Sequence, residues 1–266
     1  MFFFGLNAWV LALLLAGVMF GATVAGLLAG RAMSARSEGF REPIGVLQGA
    51  LIGFMGLVLA FGLSLAVGRY ESRRAHVVDE ANTIGTTYLR AQTLAEPERT
   101  SSLDLLRTYT DTSIVIGETV PGSAAQDRAV EESGRQQRAL WSLAGEALDR
   151  APQASAPRLY VETLNEMFDA QATRVYGLSN RVPTAVLVLE IVLAAIALAV
   201  LALHFATLGR GVAAVLVAAL LVVLLLQVTF DLDRPTRGLI QIPSAPLVDV
   251  ASSMSGPPAA GAPAGP

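Results

Sequence analysis

Glu190 is the ionisable residue placed most deeply within an apolar run of this chain. It lies inside the run from Thr184 to Thr207, where an unpaired carboxylate is costly unless it is protonated or finds a partner. If this run and the next form an antiparallel hairpin that turns near Leu208-Gly209, Gln227 lies level with Glu190. We therefore predict a hydrogen bond between Glu190 and Gln227, with an ion or proton site as the alternative.

A second set of charged residues follows the last apolar run, in the segment DLDRPTRG. The proline and glycine of this segment predict the end of a membrane-spanning helix, with its charged side chains at the level of the lipid headgroups. Two acids at this spacing are a weak indication of Ca²⁺, which needs several further oxygen ligands. We favour a juxtamembrane charge cluster whose acids act as counter-ions to Arg69 and Arg73. Its members are Asp231, Asp233, Arg234 and Arg237.

Arg69, Arg73, His76 and Glu80 follow one another at helical spacing just after the second apolar run. Around a symmetry axis, such residues form rings that concentrate anions at the mouth of a pore. The alternative is that the arginines extend to the headgroups and reflect the positive-inside bias of membrane proteins.

Phe54 and Phe61 lie seven residues apart in the second apolar run and therefore share one face of a helix. In an oligomer, aromatic rings at this position can form a hydrophobic constriction that gates a pore by excluding water. The alternative is contact with lipid or with the protein core.

Glycines recur at intervals of four residues in the first two apolar runs. This spacing makes a flat ridge on which another helix can approach closely, so helix packing is favoured over direct lining of a pore. The predicted packing residues are Gly17, Gly21, Gly45, Gly49 and Gly53.

Composition argues against several other classes of function. The chain has no cysteine, which excludes disulfides, thiolate metal sites and cysteine nucleophiles. His76 and His204 are too far apart in the sequence for a local metal motif. The known sequence motifs of hydrolases and nucleoside triphosphatases are absent. A net charge of -3 gives no reason to expect nucleic-acid binding. We predict no enzyme activity, no cofactor and no bound metal.

The elements that position these residues are helices, and the predicted fold class is an all-α membrane protein with four transmembrane helices. Four runs approach the length of about 20 apolar residues that a spanning helix needs. Transmembrane helices two and three are expected to extend into a cytoplasmic helical region. The predicted parts are two transmembrane helices in 1–68, the cytoplasmic region in 69–182, two further transmembrane helices in 183–231, a cytoplasmic juxtamembrane segment in 232–251 and a disordered tail in 252–266.

The second apolar run turns charged at Arg69 without a proline, which predicts one continuous helix from about Ile44 to Gln92. Capping patterns predict further helices that start near Ser101 and after Ser123. A last cytoplasmic helix is expected from Arg158, running towards the third span. The predicted apolar stripe of the helix after Ser123 consists of Val130, Trp141, Ala144 and Leu148.

The arginines near the helix ends favour cytoplasmic termini by a modest margin of seven against four. The seven include Arg69 and Arg73, whereas Arg31, Arg36, Arg41 and Arg210 count for the opposite orientation. The absence of lysine and the many alanines are typical of a GC-rich bacterial genome. The predicted location is therefore the inner membrane of a bacterium.

Three segments together resemble a bacterial family described as bestrophin-like, from the second span through Leu247. They are GLSLAVGRYESRRAHVVDEANTIGTTYLRAQ, LYVETLNEMFDAQATRVYGLSNRVP and FDLDRPTRGLI. The layout is more distantly similar to bestrophin channels, which have four spans, cytoplasmic termini and a second span continuing into a cytoplasmic helix. Thr236 stands where bestrophins carry an aromatic residue, and Gly62 where a basic residue follows the pore aromatics.

The main functional hypothesis is a homo-oligomeric membrane protein in lipid, whose most specific form is a pentameric channel for inorganic anions. The second span would line the pathway, Phe54 and Phe61 would gate it, and Arg69 and Arg73 would attract ions. The alternative is a membrane scaffold or sensor that does not conduct and binds a partner through its helical cytoplasmic region. Stoichiometry separates the two, because a monomer or a two-fold dimer leaves no central pathway.

Overall fold

The structure is a computed structural model that describes residues 7–33, 41–209 and 211–256. Within those ranges the chain forms eight helices. They are α1 (Ala8–Met33), α2 (Arg41–Ala91), α3 (Glu98–Glu118), α4 (Ala124–Arg150), α5 (Ser155–Ser179), α6 (Thr184–Thr207), α7 (Val212–Leu232) and α8 (Ala245–Ser253).

Four helical stretches are long and apolar enough to cross a membrane, which confirms the four predicted spans. They lie in α1, in the first part of α2, in α6 and in α7. The long helix α2 is also confirmed, because it continues without a break for 51 residues across the change from apolar to charged sequence.

The chain divides into two compact units, and the boundaries fall at Tyr70, Asn180 and Gln241. The membrane unit comprises residues 1–70 and 181–241, and the helical unit comprises residues 71–180 and 242–266. The expected juxtamembrane segment 232–251 is therefore divided between them.

The core of the membrane unit is built around α1, which packs against both α6 and α7. The contact with α6 is close, since a Cβ added to Gly26 or Gly30 would collide with the backbone carbonyl of Ala199 or Leu203. Helices α6 and α7 are joined by the tight turn expected near Leu208-Gly209. Gly209 and Gly211 adopt positive φ angles of 69° and 89° there, which favour glycine.

In the helical unit, α3 packs against α4 and α8, and α4 packs against α5. Buried side chains of the main core include Tyr109, Leu140, Tyr160 and Leu164. The predicted cap of α4 is confirmed, because the hydroxyl of Ser123 accepts a hydrogen bond from the backbone N–H of Gln126 at 3.2 Å.

The start of α3 differs from the prediction. The helix begins at Glu98, so Ser101 lies within its first turn, and Asp104 pairs with Arg107 at 2.7 Å. The carboxylate of Glu96 accepts hydrogen bonds from the backbone N–H and the hydroxyl of Thr100, and thereby satisfies the helix start.

The predicted apolar stripe of α4 is wrong at Val130 and Trp141, which are 37% and 47% exposed. The buried face is partly polar and contains Gln126, Ser133 and Gln136. These side chains have hydrogen-bond partners, so a search for apolar spacing alone selects the wrong face.

Helix α5 begins at Ser155, three residues before the expected start, and ends at Ser179. It does not continue directly into the third span, because residues 180–183 are not helical before α6 begins at Thr184.

The disorder predicted from Ser252 onward is wrong for residues 252–256. Met254 is 1% exposed, and its carbonyl accepts hydrogen bonds from the hydroxyl of Tyr88 and from Nε of Arg107, both at 3.1 Å. The remaining part of the tail, residues 257–266, lies outside the described residues, as do Arg36 and Arg210 of the topology argument.

Candidate functional site

The transmembrane part of α2 has two contrasting faces. One face enters the core of the membrane unit through Leu59, Gly62 and Ala66, which are buried. The other face carries Phe54 and Phe61, which are 54% and 62% exposed within the chain. The two rings share this outward face, as their spacing predicts, but their roles as gate residues stay a prediction.

Small residues lie on another exposed side of this span, about 100–160° around the helix from Phe54 at 3.6 residues per turn. A Cβ added to Gly49, Gly53 or Gly56 would meet no atom within 4 Å. Gly45 instead lies opposite the ring of His204, whose Cε1 would be 3.3 Å from an added Cβ. Among the described residues the space beside the three open glycines is therefore free to receive another molecule.

The first span shows a similar division. Gly17 and Gly21, which are predicted packing residues, also have open space around them, whereas the close approach to α6 occurs further along at Gly26 and Gly30. Helix packing at Gly17 and Gly21 stays a prediction.

Glu190 is fully buried in the membrane unit, on the side of α6 that meets α2. Its carboxyl group occupies the space beside Gly62, where any Cβ would collide with it. Neither carboxyl oxygen has a hydrogen-bond partner within the described part of the chain.

The predicted hydrogen bond between Glu190 and Gln227 is not formed. The side-chain Nε2 of Gln227 instead donates to the carbonyl of Ala8 at 3.3 Å, at the first residue of α1. The hairpin places the two residues at similar depth, but α6 turns Glu190 towards α2 and α7 turns Gln227 towards α1. Depth can be estimated from residue counts, whereas the facing direction depends on how all four helices pack.

The acids of the juxtamembrane charge cluster hold backbone amides. Both carboxylate oxygens of Asp233 accept from the N–H of Val182 at 3.1 Å, just before α6 begins. Asp231 accepts from the N–H of Ile240 at 2.8 Å. These bonds fix the two non-helical segments of the membrane unit at the end of α7.

Arg234 lies among these acids and is only 2% exposed. Burial lowers the pKa of its guanidinium, with Arg181 and Arg237 acting in the same direction, whereas Asp231 and Asp233 oppose the shift. Asp231, Asp233 and Arg234 therefore form a buried arrangement of both charge signs, whereas Arg237 is exposed. The predicted counter-ion role towards Arg69 and Arg73 stays a prediction.

Arg73 is buried in the helical unit, at 2% exposure. Its Nε donates to the carbonyl of Gly177 at 3.2 Å and its Nη2 donates to the carbonyl of Asn180 at 2.7 Å. It therefore binds two carbonyl groups at the end of α5, one of which, that of Gly177, also accepts from the N–H of Asn180 at 3.3 Å. This placement corrects the expectation that Arg73 is an exposed charge at a pore mouth, whereas Arg69 is half-buried at the end of the membrane unit.

Comparison with protein families gives a match to the bestrophin-like domain over residues 12–247. The chain belongs to the bestrophin-like family. Comparison with curated proteins and comparison with solved structures gave no match.

The interior of the helical unit of this bestrophin-like protein contains an ion pair between Glu80 and Arg174, which are 0% and 2% exposed. Arg174 also donates to the carbonyl of Ser113 at 2.6 Å, and a Cβ on Gly117 would lie 2.7 Å from its Nη1. Burial raises the pKa of the Glu80 carboxyl, although Arg174, Ser113 and Gln171 act in the opposite direction.

Gln171 connects this ion pair to two other helices, α3 and α4. Its Nε2 donates to the hydroxyl of Ser113 at 2.9 Å, and its Oε1 accepts from Ser133 at 2.6 Å and from Gln137 at 2.8 Å. Such a buried polar network specifies one packing arrangement, because each misplaced member leaves an unsatisfied group.

Sequence reasoning missed this network in the bestrophin-like chain. Spacing along one helix predicts a ring at a pore mouth for Glu80, and no local pattern singles out Arg174. The partners lie 94 residues apart in the chain, so local spacing carries no indication that they meet. Gly117 is the local sequence feature connected with this pair, because it leaves room for the Arg174 side chain.

Proposed function

We propose that this bestrophin-like protein is a homo-oligomeric anion channel of a bacterial inner membrane. The transmembrane part of α2 from each subunit lines a central pathway, and a pentamer is the most specific form of the proposal. Both termini and the helical unit lie in the cytoplasm. Family membership, together with the outward face of α2, supports this function over the other classes considered.

The observation that carries the proposal is the exposure of one α2 face. Of the four spans, the one in α2 has the smallest buried share, at 22%. A lipid-facing helix needs only apolar side chains there, but the exposed surface of this span has two large rings on one side and open glycines on another. Small residues let helices approach one another, and rings between them narrow a pathway.

In the proposed channel, Phe54 and Phe61 form successive rings of aromatic side chains that exclude water when the pathway is closed. Arg69 lies about two helical turns beyond Phe61 and raises the local concentration of anions at the end of the pathway. Arg73 does not share this role, because its guanidinium is bound to carbonyl groups of α5.

Anion flux from liposomes that contain the purified protein tests the proposal. Replacement of either ring, Phe54→Ala or Phe61→Ala, should increase chloride flux several-fold, because a narrower and more hydrophobic constriction is removed. Leu13→Ala is the matched control, since Leu13 is an apolar side chain of α1 that is 73% exposed. A protein that is monomeric by native mass spectrometry, or that passes no ion at any pH tested, contradicts the proposal.

The second candidate is a scaffold or sensor that binds a partner through the helical unit. One observation favours it: an open groove of about 370 Å³ between α4 and α5 displays Trp141, whose ring lies 6.2 Å from that of Phe168. A partly exposed tryptophan in a groove is typical of an interaction surface. Under this alternative, Trp141→Ala abolishes partner binding, and the Phe54 and Phe61 substitutions have no effect on ion flux.

A further inference from the structure

Two ionisable side chains of α6 lie against glycines of α2. Glu190 faces Gly62, and His204 faces Gly45. The pairs lie at opposite ends of the same antiparallel contact, since the glycine numbers decrease as the α6 numbers increase. A Cβ at Gly62 would occupy the space that the Glu190 carboxyl group now fills, whereas a Cβ at Gly45 would lie 3.3 Å from Cε1 of His204 and would require only a small shift of that ring.

The surroundings of Glu190 suit an uncharged group. Its side chain is 0% exposed, and its two oxygens have no hydrogen-bond donor among the described residues. An ionised carboxylate in an apolar environment requires a counter-charge or hydrogen bonds, whereas the protonated acid does not carry that cost.

No other charged group compensates Glu190 from the helices around it. The titratable residues of the packed elements sit elsewhere, and none forms a hydrogen bond or an electrostatic interaction with Glu190 in the described chain. Those with described side chains are Arg31 of α1, Glu42, Arg69 and Tyr70 of α2 within the membrane unit, His204 of α6 and Asp231 of α7.

We propose that Glu190 is a proton-binding site within the membrane unit, and that its protonated carboxyl group holds α6 against α2 at Gly62. Loss of the proton leaves a carboxylate without a partner beside a helix backbone. The contact then opens so that water or a cation reaches the carboxylate. The ligand is the proton, and the element that responds is the transmembrane part of α2.

This proposal goes beyond anion conduction and does not depend on it. The measurements below follow protonation and helix separation, and neither requires ion flux. If α2 lines a pathway, the same contact makes the pathway sensitive to pH. A failure of the conduction experiment leaves the protonation experiment unaffected.

Infrared difference spectroscopy of the protein in lipid tests the protonation state. The wild-type spectrum at neutral pH should contain the carbonyl band of a protonated carboxyl group that Glu190→Gln removes. Glu71→Gln, which replaces an exposed carboxylate, should leave this band unchanged. Loss of a carboxylate band in Glu190→Gln instead of the carbonyl band overturns the proposal. A Glu190→Gln protein that fails to fold also overturns it, because the amide resembles the neutral acid in size and charge.

Distances between spin labels test the link to α2. The chain has no cysteine, so labels at Leu57→Cys and Ile196→Cys, both on exposed positions, report the separation of α2 and α6 without further substitutions. Dilution with unlabelled protein removes distances between subunits. The separation should increase as the pH is raised in the wild-type background and stay constant with Glu190→Gln. A separation that does not change with pH overturns the assignment of Glu190 as the proton-binding group. So does a pH response that is lost with His204→Gln but kept with Glu190→Gln.

Gly62→Ala provides the matched steric test. It should increase the same separation at neutral pH, because the methyl group displaces the Glu190 carboxyl. Gly56→Ala on the same helix meets no atom within 4 Å and should leave the separation unchanged. Equal separations in the two variants contradict the contact on which the proposal rests.

Discussion

Glu80 and Arg174 show how a single pair of residues can control the interior of a helical bundle. Both are almost completely buried, and their charges are balanced mainly by each other. Removing water from two charges costs several kcal/mol, so a buried ion pair adds little net stability while the loss of one partner is severe. The role we infer for this pair is to select one packing of the helices rather than to strengthen it.

Removal of one partner should therefore cost more than removal of both. Arg174→Met leaves the Glu80 carboxylate unpaired and should lower the free energy of unfolding of the helical unit by about 3–5 kcal/mol. Adding Glu80→Gln should recover part of this loss. Fluorescence of Trp141 during chemical unfolding, in a Trp9→Phe background, measures the helical unit alone because the chain has two tryptophans.

The pH dependence gives an independent control for the same pair. Burial raises the pKa of Glu80, so the folded chain binds this proton more tightly than the unfolded chain does. The contribution of Glu80 to the free energy of unfolding should thus decrease as the pH rises above 4.5, the ordinary pKa of this side chain. Glu80→Gln should lack this decrease. An equal pH dependence in both proteins, or a double variant as unstable as Arg174→Met, would contradict the arrangement.

At the scale of elements, helices α1 and α6 of the membrane unit approach each other closely. Glycine permits this approach at Gly26 and Gly30, where the neighbouring atoms belong to the α6 backbone and cannot move aside as a flexible side chain can. Dispersion and close packing, rather than the hydrophobic effect, then supply the attraction between these helices in lipid.

Gly26→Ala should destabilise the membrane unit by about 1–3 kcal/mol, the usual cost of overpacking a close contact. Gly17→Ala is the matched control on the same helix, because its added methyl group meets no atom within 4 Å. The control should be neutral or slightly stabilising, since alanine favours a helix more than glycine does. Thermal unfolding in detergent compares the two, and equal melting temperatures would exclude the close contact.

The elements themselves were largely predictable. The runs from Thr184 and from Val212 are apolar over the full length of a span, and the charged continuation after Arg69 contains no helix breaker, so the bounds of α2, α6 and α7 follow from composition. Prediction failed where a side chain replaced a backbone partner, as at Glu96, or where a buried face was polar, as in α4. Those contacts depend on partners that local sequence does not identify.

The site was less predictable than the elements for the same reason. The outward position of Phe54 and Phe61 follows from helical spacing, which involves one helix alone. The partners of Glu190, Gln227 and Arg73 depend on which helix lies opposite each side chain. A residue count fixes the depth of a side chain but leaves its facing direction to the packing of the whole unit.

For the whole molecule, the last described residues belong to the fold of the helical unit. Leu247 and Met254 are buried, and the Met254 carbonyl has two donors, Tyr88 and Arg107. The chain therefore returns to the helical unit after the membrane unit, and α8 completes the core that α3 begins.

Truncation after Ser244 should destabilise the helical unit by several kcal/mol, because each buried apolar side chain contributes about 1.5–3 kcal/mol and two hydrogen-bond donors lose their acceptor. Truncation after Gly256 is the matched control and retains all of these contacts. Limited proteolysis of the two proteins measures the difference. Equal resistance to cleavage within residues 71–180 would show that α8 is dispensable.

The glycines that face buried ionisable groups have a consequence for how this sequence can change over time. Gly62 makes room for Glu190, and Gly117 makes room for Arg174. A larger residue at either glycine is acceptable only after its partner has shortened, and a shortened partner leaves a void that selects for a larger residue opposite. Each pair is therefore inherited as one trait, and its two positions should covary among relatives although many residues separate them.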